Sequence, residues 1–457
     1  MNEFDQLPLP DPLRQAIAAV GYDTMTPVQA ESLPAMLAGR DVIAQAKTGS
    51  GKTAAFALGL LAAIEPEVGR LQGLVLCPTR ELADQVSREI RRLARFLPNV
   101  KVLTLCGGVP LRPQLASLAH EPHVVVGTPG RILDLLQQEA LPLANVRVLV
   151  LDEADRMLDM GFTDDITAIA ARTPPERRTL LFSATYNEAV RDISRMFQRD
   201  ALEVSVASIL TREEVEQVFH EVDADRKFDA LVTLLGQQRP ESALVFCNTK
   251  HDARALAAQL AEAGWSALAL HGDLEQRDRE AVLVRFANHS CVVLVATDVA
   301  ARGLDIREMP VVVNYDMAQD PDIHLHRIGR TGRAGSKGMA FSLCSGKERS
   351  RAAAIEEDQG SKLPWKRLEL ARQTPKALTA GKVTLVIDGG RQDKLRPGDI
   401  LGALTGDAGL PAEAVGKIDS YPTRTYVAIA RRSGNAAQQA LANGKIKGRK
   451  FRVRRLG

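Results

Sequence analysis

Hydrophobic positions along this chain cluster in short unbroken runs separated by helical patterns. GLVLCPT (73–79), HVVVGT (123–128), RVLVLDEAD (147–155) and TLLFSAT (179–185) carry apolar side chains at consecutive rather than alternate positions. A strand that is apolar on both faces is one covered by helices on both sides, the arrangement of a parallel sheet. Between these runs, TRELADQVSREIRRLARFL (79–97) has the spacing of an amphipathic helix. The rhythm restarts near residue 215. SALVFCNTK (242–250), SALALHG (266–272), CVVLVATD (291–298) and VVVNYD (311–316) read as strands, and HDARALAAQLAEAG (251–264) as a helix closed by Gly264. The pattern therefore predicts two α/β parallel-sheet domains in tandem, 1–205 and 215–368, joined by a polar hinge at 206–214.

A second change of rhythm follows ARQTPKALTAG (371–381), which places a linker at 369–379. KVTLVID (382–388) is a predicted strand, PGDILGALTGDAG (397–409) a short helix, and AVGKIDS (414–420) and TYVAIA (425–430) strands. SGNAAQQALANG (433–444) is a predicted helix with Ser433 as N-cap and Gly444 past its end, and KFRVRR (450–455) a last strand. The order β-α-β-β-α-β over 380–457 is ferredoxin-like, as in RNA-recognition motifs, and makes a small α+β domain.

Charge sharpens this division. Residues 376–457 hold sixteen Lys and Arg against six Asp and Glu, a net of +10, while the rest of the chain stands at −7 and the whole at +3. Such asymmetry points to a polyanionic partner for the C-terminal part. From Lys445 onward there are seven basic side chains and no acidic one. The five cysteines, Cys77, Cys106, Cys247, Cys291 and Cys344, are odd in number and lack C-x-x-C spacing, so they read as small buried side chains in a reducing compartment. The opening MNEFDQLPLPDPL has no signal-peptide pattern, and no apolar run approaches the ~18 residues of a membrane helix. The expectation is a cytoplasmic protein without a membrane partner.

Three motifs carry chemistry. AKTGSGKT (46–53) follows an apolar strand and precedes a helical run, matching a P-loop except that Ala46 holds the first Gly position. Its backbone N–H groups, from Ala46 through Lys47, Thr48, Gly49, Ser50 and Gly51, would cradle phosphates, with Lys52 reaching the β/γ-phosphates and Thr53 ligating Mg²⁺. LVLDEAD (149–155) is a strand ending in acids: Asp152 suits Mg²⁺, and Glu153 could orient and deprotonate the attacking water. HRIGRTGR (326–333) offers Arg330 and Arg333 three apart, which on a helical turn share a face and could reach a γ-phosphate as arginine fingers.

Together with GYDTMTPVQ (21–29), PTREL (78–82), GG (107–108), TPGR (128–131), SAT (183–185), LVFCNT (244–249) and TDVAARGLD (297–305), these motifs resemble the DEAD-box RNA helicases over residues 1 to about 365. The resemblance implies two RecA-like domains, ATP and Mg²⁺ as cofactors, and ATP hydrolysis coupled to RNA. It implies that Gln29 reads the adenine edge with Phe4 stacking upstream, that Asp305 contacts the ribose, and that Ser183, Thr185 and His326 couple ATP state to RNA binding. It implies RNA-backbone contacts from Arg80, Gly108, Thr128, Arg131, Thr297 and Arg302, which position RNA without reading its sequence. The implied mechanism is local separation of short duplexes when the two domains close on ATP and RNA. An ATP-gated RNA clamp with little unwinding is the alternative. DNA is not an expected partner, and nothing in the sequence asks for more than a monomer.

The C-terminal part is similar to the RNA-binding domain of the DbpA group of bacterial DEAD-box proteins. That likeness implies a hairpin of 23S ribosomal RNA as target and assembly of the large ribosomal subunit as the process. One feature departs from the common RNA-recognition motif: the strand in PTRTYVAI (422–429) offers only Tyr426 for base stacking, and the first strand has no aromatic. Lys445, Lys447, Arg449, Lys450 and Arg452, with Arg454 and Arg455, are the expected RNA contacts instead.

Overall fold

The computed structural model describes residues 3–46, 49–206, 215–301, 309–332 and 338–456. The chain divides into two compact units on either side of the 207–214 segment. Nearly all of the predicted hinge, together with Lys47, Thr48, Arg302, Asp305 and Arg333, lies outside the described residues.

The first unit is built on seven parallel strands: β1 (Val42–Gln45), β2 (Gly73–Leu76), β3 (Val102–Leu105), β4 (Val124–Gly127), β5 (Val148–Asp152), β6 (Arg178–Ser183) and β7 (Leu202–Ser205). Their spatial order is β3-β4-β2-β5-β6-β1-β7, with every pair parallel. The apolar runs are its central strands, buried at every residue of β2, β4 and β5. Successive side chains feed two cores. Val75, Val126 and Val150 face one cluster, and Leu74, Leu76, Val125, Leu149 and Leu151 the other. That is the physical content of a run apolar on both faces: helices close each side.

The second unit repeats the plan with β8 (Val215–Glu221), β9 (Ala243–Cys247), β10 (Ala267–Leu270), β11 (Val293–Thr297), β12 (Val311–Asn314) and β13 (Gly338–Cys344), ordered β10-β11-β9-β12-β13-β8 and again parallel. Gly264 takes a left-handed φ of 87° just past the helix Lys250–Glu262, as its place in the pattern predicted.

A third, antiparallel sheet belongs to this second unit: β14 (Lys382–Ile387), β15 (Val415–Ser420), β16 (Thr425–Ala430) and β17 (Val453–Arg455), ordered β15-β16-β14-β17. The last strand is an edge strand three residues long, shorter than KFRVRR suggested. Ser433 makes no capping hydrogen bond. A 3₁₀ turn, Arg431–Ser433, leads the chain into the helix Gly434–Asn443 instead.

The two faces of this sheet do different work. Val383, Leu385 and Ile387 of β14 point into the small domain's own core with Val427 and Ile429. The alternate residues Thr384 and Val386 and the paired Tyr426 point the other way, onto the helix Gln276–Ala287 of the neighbouring parallel-sheet domain. There Val386, Tyr426 and Val284 are buried together, and Thr384 Oγ1 bonds with Asn288 and Ser290 at 2.9–3.3 Å. The Tyr426 hydroxyl donates to Glu280 at 3.2 Å. Burial and that carboxylate push the phenol up to about 12, which keeps it a neutral donor. Tyr426, the one base-stacking candidate, is thus spent on a protein contact.

The chain between the two domains lies along the second sheet's helices. Leu378 and Ala380 pack on that domain's core, Ser266 N–H donates to the Leu378 carbonyl at 3.0 Å, and Pro375 sits where a Cβ on Gly236 would be. A bulkier residue at Gly236 would push this segment off its track.

Candidate functional site

Because the first sheet is parallel, every strand delivers its following loop to one edge. Ligands of open α/β sheets bind at that carboxyl edge. β1 leads to the phosphate loop, β5 to Asp152 and Glu153, and β6 to Ser183 and Thr185. On the other side of the sheet, β2 leads to Arg80, β3 to Gly108, and β4 to Thr128 and Arg131. The strand order therefore separates the residues expected to meet nucleotide, here called the nucleotide half (β5-β6-β1), from those expected to meet RNA, the RNA half (β3-β4-β2).

In the nucleotide half, Gly49 and Gly51 take φ of 82° and 95°, and the helix Lys52–Leu61 starts directly after them. A Cβ on Gly51 would lie 2.6 Å from Gln29 Nε2, so the loop turns tightly only because Gly51 has none. Gln29 is locked on both ends of its amide: Oε1 accepts from Thr26 N–H at 2.9 Å, and Nε2 donates to the Gly51 carbonyl at 3.2 Å. The buried Lys52 donates to the Ala46 carbonyl at 2.5 Å, and burial lowers its proton affinity. Thr53 follows as the second residue of the helix. Phe4 is buried in the unit's core, in a 3₁₀ turn at the chain's start.

The acids at the end of β5 are also buried. Burial first, then the neighbouring Glu153, push Asp152 up to about 7, against the pull of Lys52. Glu153 is a non-glycine residue at φ 52°, left-handed, at the head of the helix Ala154–Asp159. Its Oε2 lies 3.4 Å from Arg156 Nε, both side chains being almost fully buried. Asp155 accepts from both the backbone N–H and the hydroxyl of Thr185 at 3.1 Å, which ties the DEAD segment to the SAT segment. Ser50 Oγ, Ser183 Oγ and Glu153 Oε2 are buried without a hydrogen-bond partner. Buried polar atoms are almost always satisfied, so these three, near one glycine loop, are candidate contacts for a polar ligand.

In the RNA half, Gly107 N–H donates to Thr128 Oγ1 at 3.2 Å, and Arg131 donates to the Val109 carbonyl at 3.1 Å. These bonds hold the exposed Gly108, at φ 73°, beside the start of the helix Pro129–Gln137. Arg80 opens the helix Arg80–Leu93 and lies 3.9 Å from Asp84.

In the second unit Thr297 ends β11. The helix Pro321–Ile328 stops before Arg330, which lies in the turn after Gly329 rather than on a helical face with a partner three residues on. Arg330 is therefore outside the helix, while Arg333, its expected partner, lies outside the described residues. His326 sits in the helix's last turn. Arg327, passed over in the sequence, is fully buried and bonds Asp298 through two nitrogens at 2.7 and 2.8 Å, with further bonds to Asn248, Asn314 and the Asp316 carbonyl. Asp155 and Arg156 were likewise passed over.

Lys445, Lys447, Arg449, Lys450 and Arg452 are exposed. They lie on and beside a tight two-residue turn in which Ile446 and Arg449 exchange backbone bonds at 2.8 and 3.1 Å. Lys447 and Gly448 both have positive φ, 52° and 76°, the type I′ geometry of a fixed hairpin. Burial pushes the thiols of Cys106 and Cys291 up to about 12 and Cys344 up to about 11, so these cysteines are inert side chains of the core.

Comparison with known proteins accords with this geometry. The DEAD/DEAH box helicase family matches residues 26–193, the helicase conserved C-terminal domain 226–335, and the DbpA RNA binding domain 384–455. The chain is 54% identical over 443 residues to the ATP-dependent RNA helicase DbpA of Escherichia coli, covering 96% of this chain and 95% of that one. The chain belongs to the DEAD-box RNA helicases, of the DbpA type. It is an ATP-dependent enzyme that acts on RNA. The DEAD-box helicase CshA of Bacillus subtilis is 44% identical over 361 residues, 79% of this chain and 73% of that protein, so the likeness stops short of the third sheet. Among solved structures, Saccharomyces cerevisiae Dbp5 bound to RNA and ADP BeF3 matches with a TM-score of 0.73 at 31% identity, over 80% of this chain and 96% of that one. Among the described residues, no helix is long and apolar enough to cross a membrane.

Proposed function

We propose that this DbpA-type helicase separates short RNA duplexes locally and is directed to 23S ribosomal RNA, during assembly of the large ribosomal subunit, by its C-terminal domain. The observation that carries the targeting is the exposed, conformationally fixed basic turn at 445–452 on a domain whose sheet face is already occupied. Single-stranded RNA stacked across that sheet would have to displace Tyr426 and Val386 from their packing. A structured RNA gripped through its phosphates needs only the charged rim. The protein works as a cytoplasmic monomer in this reading.

At the nucleotide, Lys52 and the loop from Ala46 to Thr53 hold the phosphates, Gln29 and Phe4 the base, and Asp305 the ribose. Glu153 orients the attacking water and accepts its proton. Arg330 and Arg333 stabilise charge on the transferring phosphate. Mg²⁺ fits the donors present. Asp152 is a buried carboxylate whose ionisation is costly without a nearby cation, and Thr53 adds a hydroxyl. An ion of this kind takes most of its ligands from phosphates and water, so these two side chains suffice in this reading. When bound, Mg²⁺ neutralises charge on the β- and γ-phosphates. Thr128, Arg131, Arg80, Gly108, Thr297 and Arg302 grip the RNA backbone, and Ser183, Thr185 and His326 couple the two ligands.

Unwinding of RNA duplexes of increasing length, with ATP in excess, tests this reading. Efficiency falls steeply with length if separation is local. Equal unwinding of long duplexes contradicts local separation, and ATP-dependent binding with no unwinding at any length contradicts the helicase step in favour of an RNA clamp.

A further inference from the structure

Arg156 is the third residue of the six-residue helix Ala154–Asp159 that begins at the DEAD segment. Its side chain is almost fully buried, and a buried guanidinium is costly unless it is paired. It needs an anion, and the anion it has is Glu153: Arg156 Nε lies 3.4 Å from Glu153 Oε2, with the side chains 3% and 7% exposed. Asp155, between them, holds the Arg156 backbone N–H through Oδ1 at 3.0 Å while its Oδ2 takes Thr185. Arg156 is thus fixed at its backbone by one acid and turned at its side chain toward the next. Glu153 itself has a backbone conformation that non-glycine residues rarely adopt, and its Oε2 makes no hydrogen bond, so the ion pair with Arg156 is the contact that orients it. Arg156 is the cation in ion-pair contact with that carboxylate.

We propose that Arg156 is a positioning residue for ATP hydrolysis. It holds Glu153 by one carboxylate oxygen, so that the other is presented in a fixed direction to the water that attacks the γ-phosphate. Arg156 touches neither water nor phosphate in this account. It reduces the freedom of the group that does, and such preorganisation is lost when the supporting contact is removed. A second role, as plain scaffolding for the DEAD helix, would show in nucleotide binding and in stability rather than in turnover.

This inference rests on Glu153 being the hydrolytic carboxylate, and the experiment separates the two. The full chain carrying Arg156→Gln, Arg156→Lys, Glu153→Gln, or Glu153→Gln with Arg156→Gln is assayed for hydrolysis under saturating homopolymeric RNA. Binding of a fluorescent ADP analogue is measured beside it. The expected result for Arg156→Gln is a fall in kcat of roughly tenfold, with KM for ATP and ADP affinity within about twofold of the parent. Arg156→Lys recovers most of the loss, because an ammonium can still reach Oε2. In the Glu153→Gln background, Arg156→Gln costs nothing further, since the two act as one unit. An equal cost in both backgrounds overturns the inference, and so does a rise in KM with kcat unchanged. Should Arg156→Gln lose ADP binding through misfolding, Arg156→Lys decides alone: near-parental turnover supports positioning, and a tenfold or greater loss of turnover with ADP affinity unchanged overturns it. Full hydrolysis by Glu153→Gln overturns the underlying assignment itself.

Discussion

The two parallel-sheet domains share one plan, and a buried charged cluster in each is completed differently. In the first, Asp152, Glu153 and Lys52 are buried around a loop where Ser50, Ser183 and Glu153 each leave an atom unpartnered. In the second, Arg327 is buried just as deeply, yet Asp298, Asn248, Asn314 and the Asp316 carbonyl take its donors. Buried charges beside unpartnered polar atoms suit a site whose chemistry needs a ligand. A fully satisfied buried charge is the mark of a scaffold. The same residue types at the same edge of the same kind of sheet therefore differ in function by what completes them.

The largest expected effect lies in the first domain. Lys52→Ala or Glu153→Gln should lower RNA-stimulated hydrolysis by about 10²–10³-fold while leaving the unfolding midpoint of the chain nearly unchanged. A matching loss of stability would erase the contrast. Arg327→Met should do the reverse. It strands Asp298 beside a buried gap and should cost about 3–5 kcal/mol of stability in the second domain, read from the shift of its urea transition.

A smaller effect separates the domains by pH. His324 is buried between Phe219 and Gln217, and burial pushes its imidazole down to about 3, with Arg327 adding to the shift. A folded value below the unfolded 6.5 means that the unfolded chain binds the extra proton. The neutral ring's contribution is complete above pH 6.5 and is lost as pH falls toward 3. Between pH 6.5 and 5 that loss is about 2 kcal/mol, and His324→Phe should flatten it when unfolding is followed across that range. The smallest effect is at the docked face of the third sheet. Tyr426→Phe removes only the bond to Glu280 and should cost about 1 kcal/mol, whereas Tyr426→Lys should loosen the seam and raise hydrogen exchange along Gln276–Ala287.

What could be read from sequence divides along the same line. Runs such as HVVVGT announce their strands because burial on both faces leaves no polar position, and AKTGSGKT announces its loop because phosphate binding needs glycine at Gly49 and Gly51. Arg327 could not be separated from Arg330 by pattern, because both sit in HRIGRTGR and only the end of the helix at Ile328 tells them apart. The role of Tyr426 was hidden for a different reason. TYVAIA reads as a strand without saying what covers either face, and the cover is a helix about 140 residues earlier in the chain. The basic tail was legible as charge, while its fixed turn depends on positive φ at Lys447, a residue type that carries no such signal.

Targeting is the central claim, and it is best tested without truncation, since removing the third sheet would bare Val284 and its neighbours. The full chain and a variant with Lys445, Lys447, Arg449 and Lys450 changed to Gln should be compared in steady-state ATP hydrolysis with no RNA, with a homopolymer, and with a 23S ribosomal RNA fragment. The account predicts that the fragment stimulates the parent far more than the homopolymer does, and that the variant loses this preference while keeping its homopolymer response. Equal stimulation of the parent by both RNAs, or an unchanged preference in the variant, would contradict it.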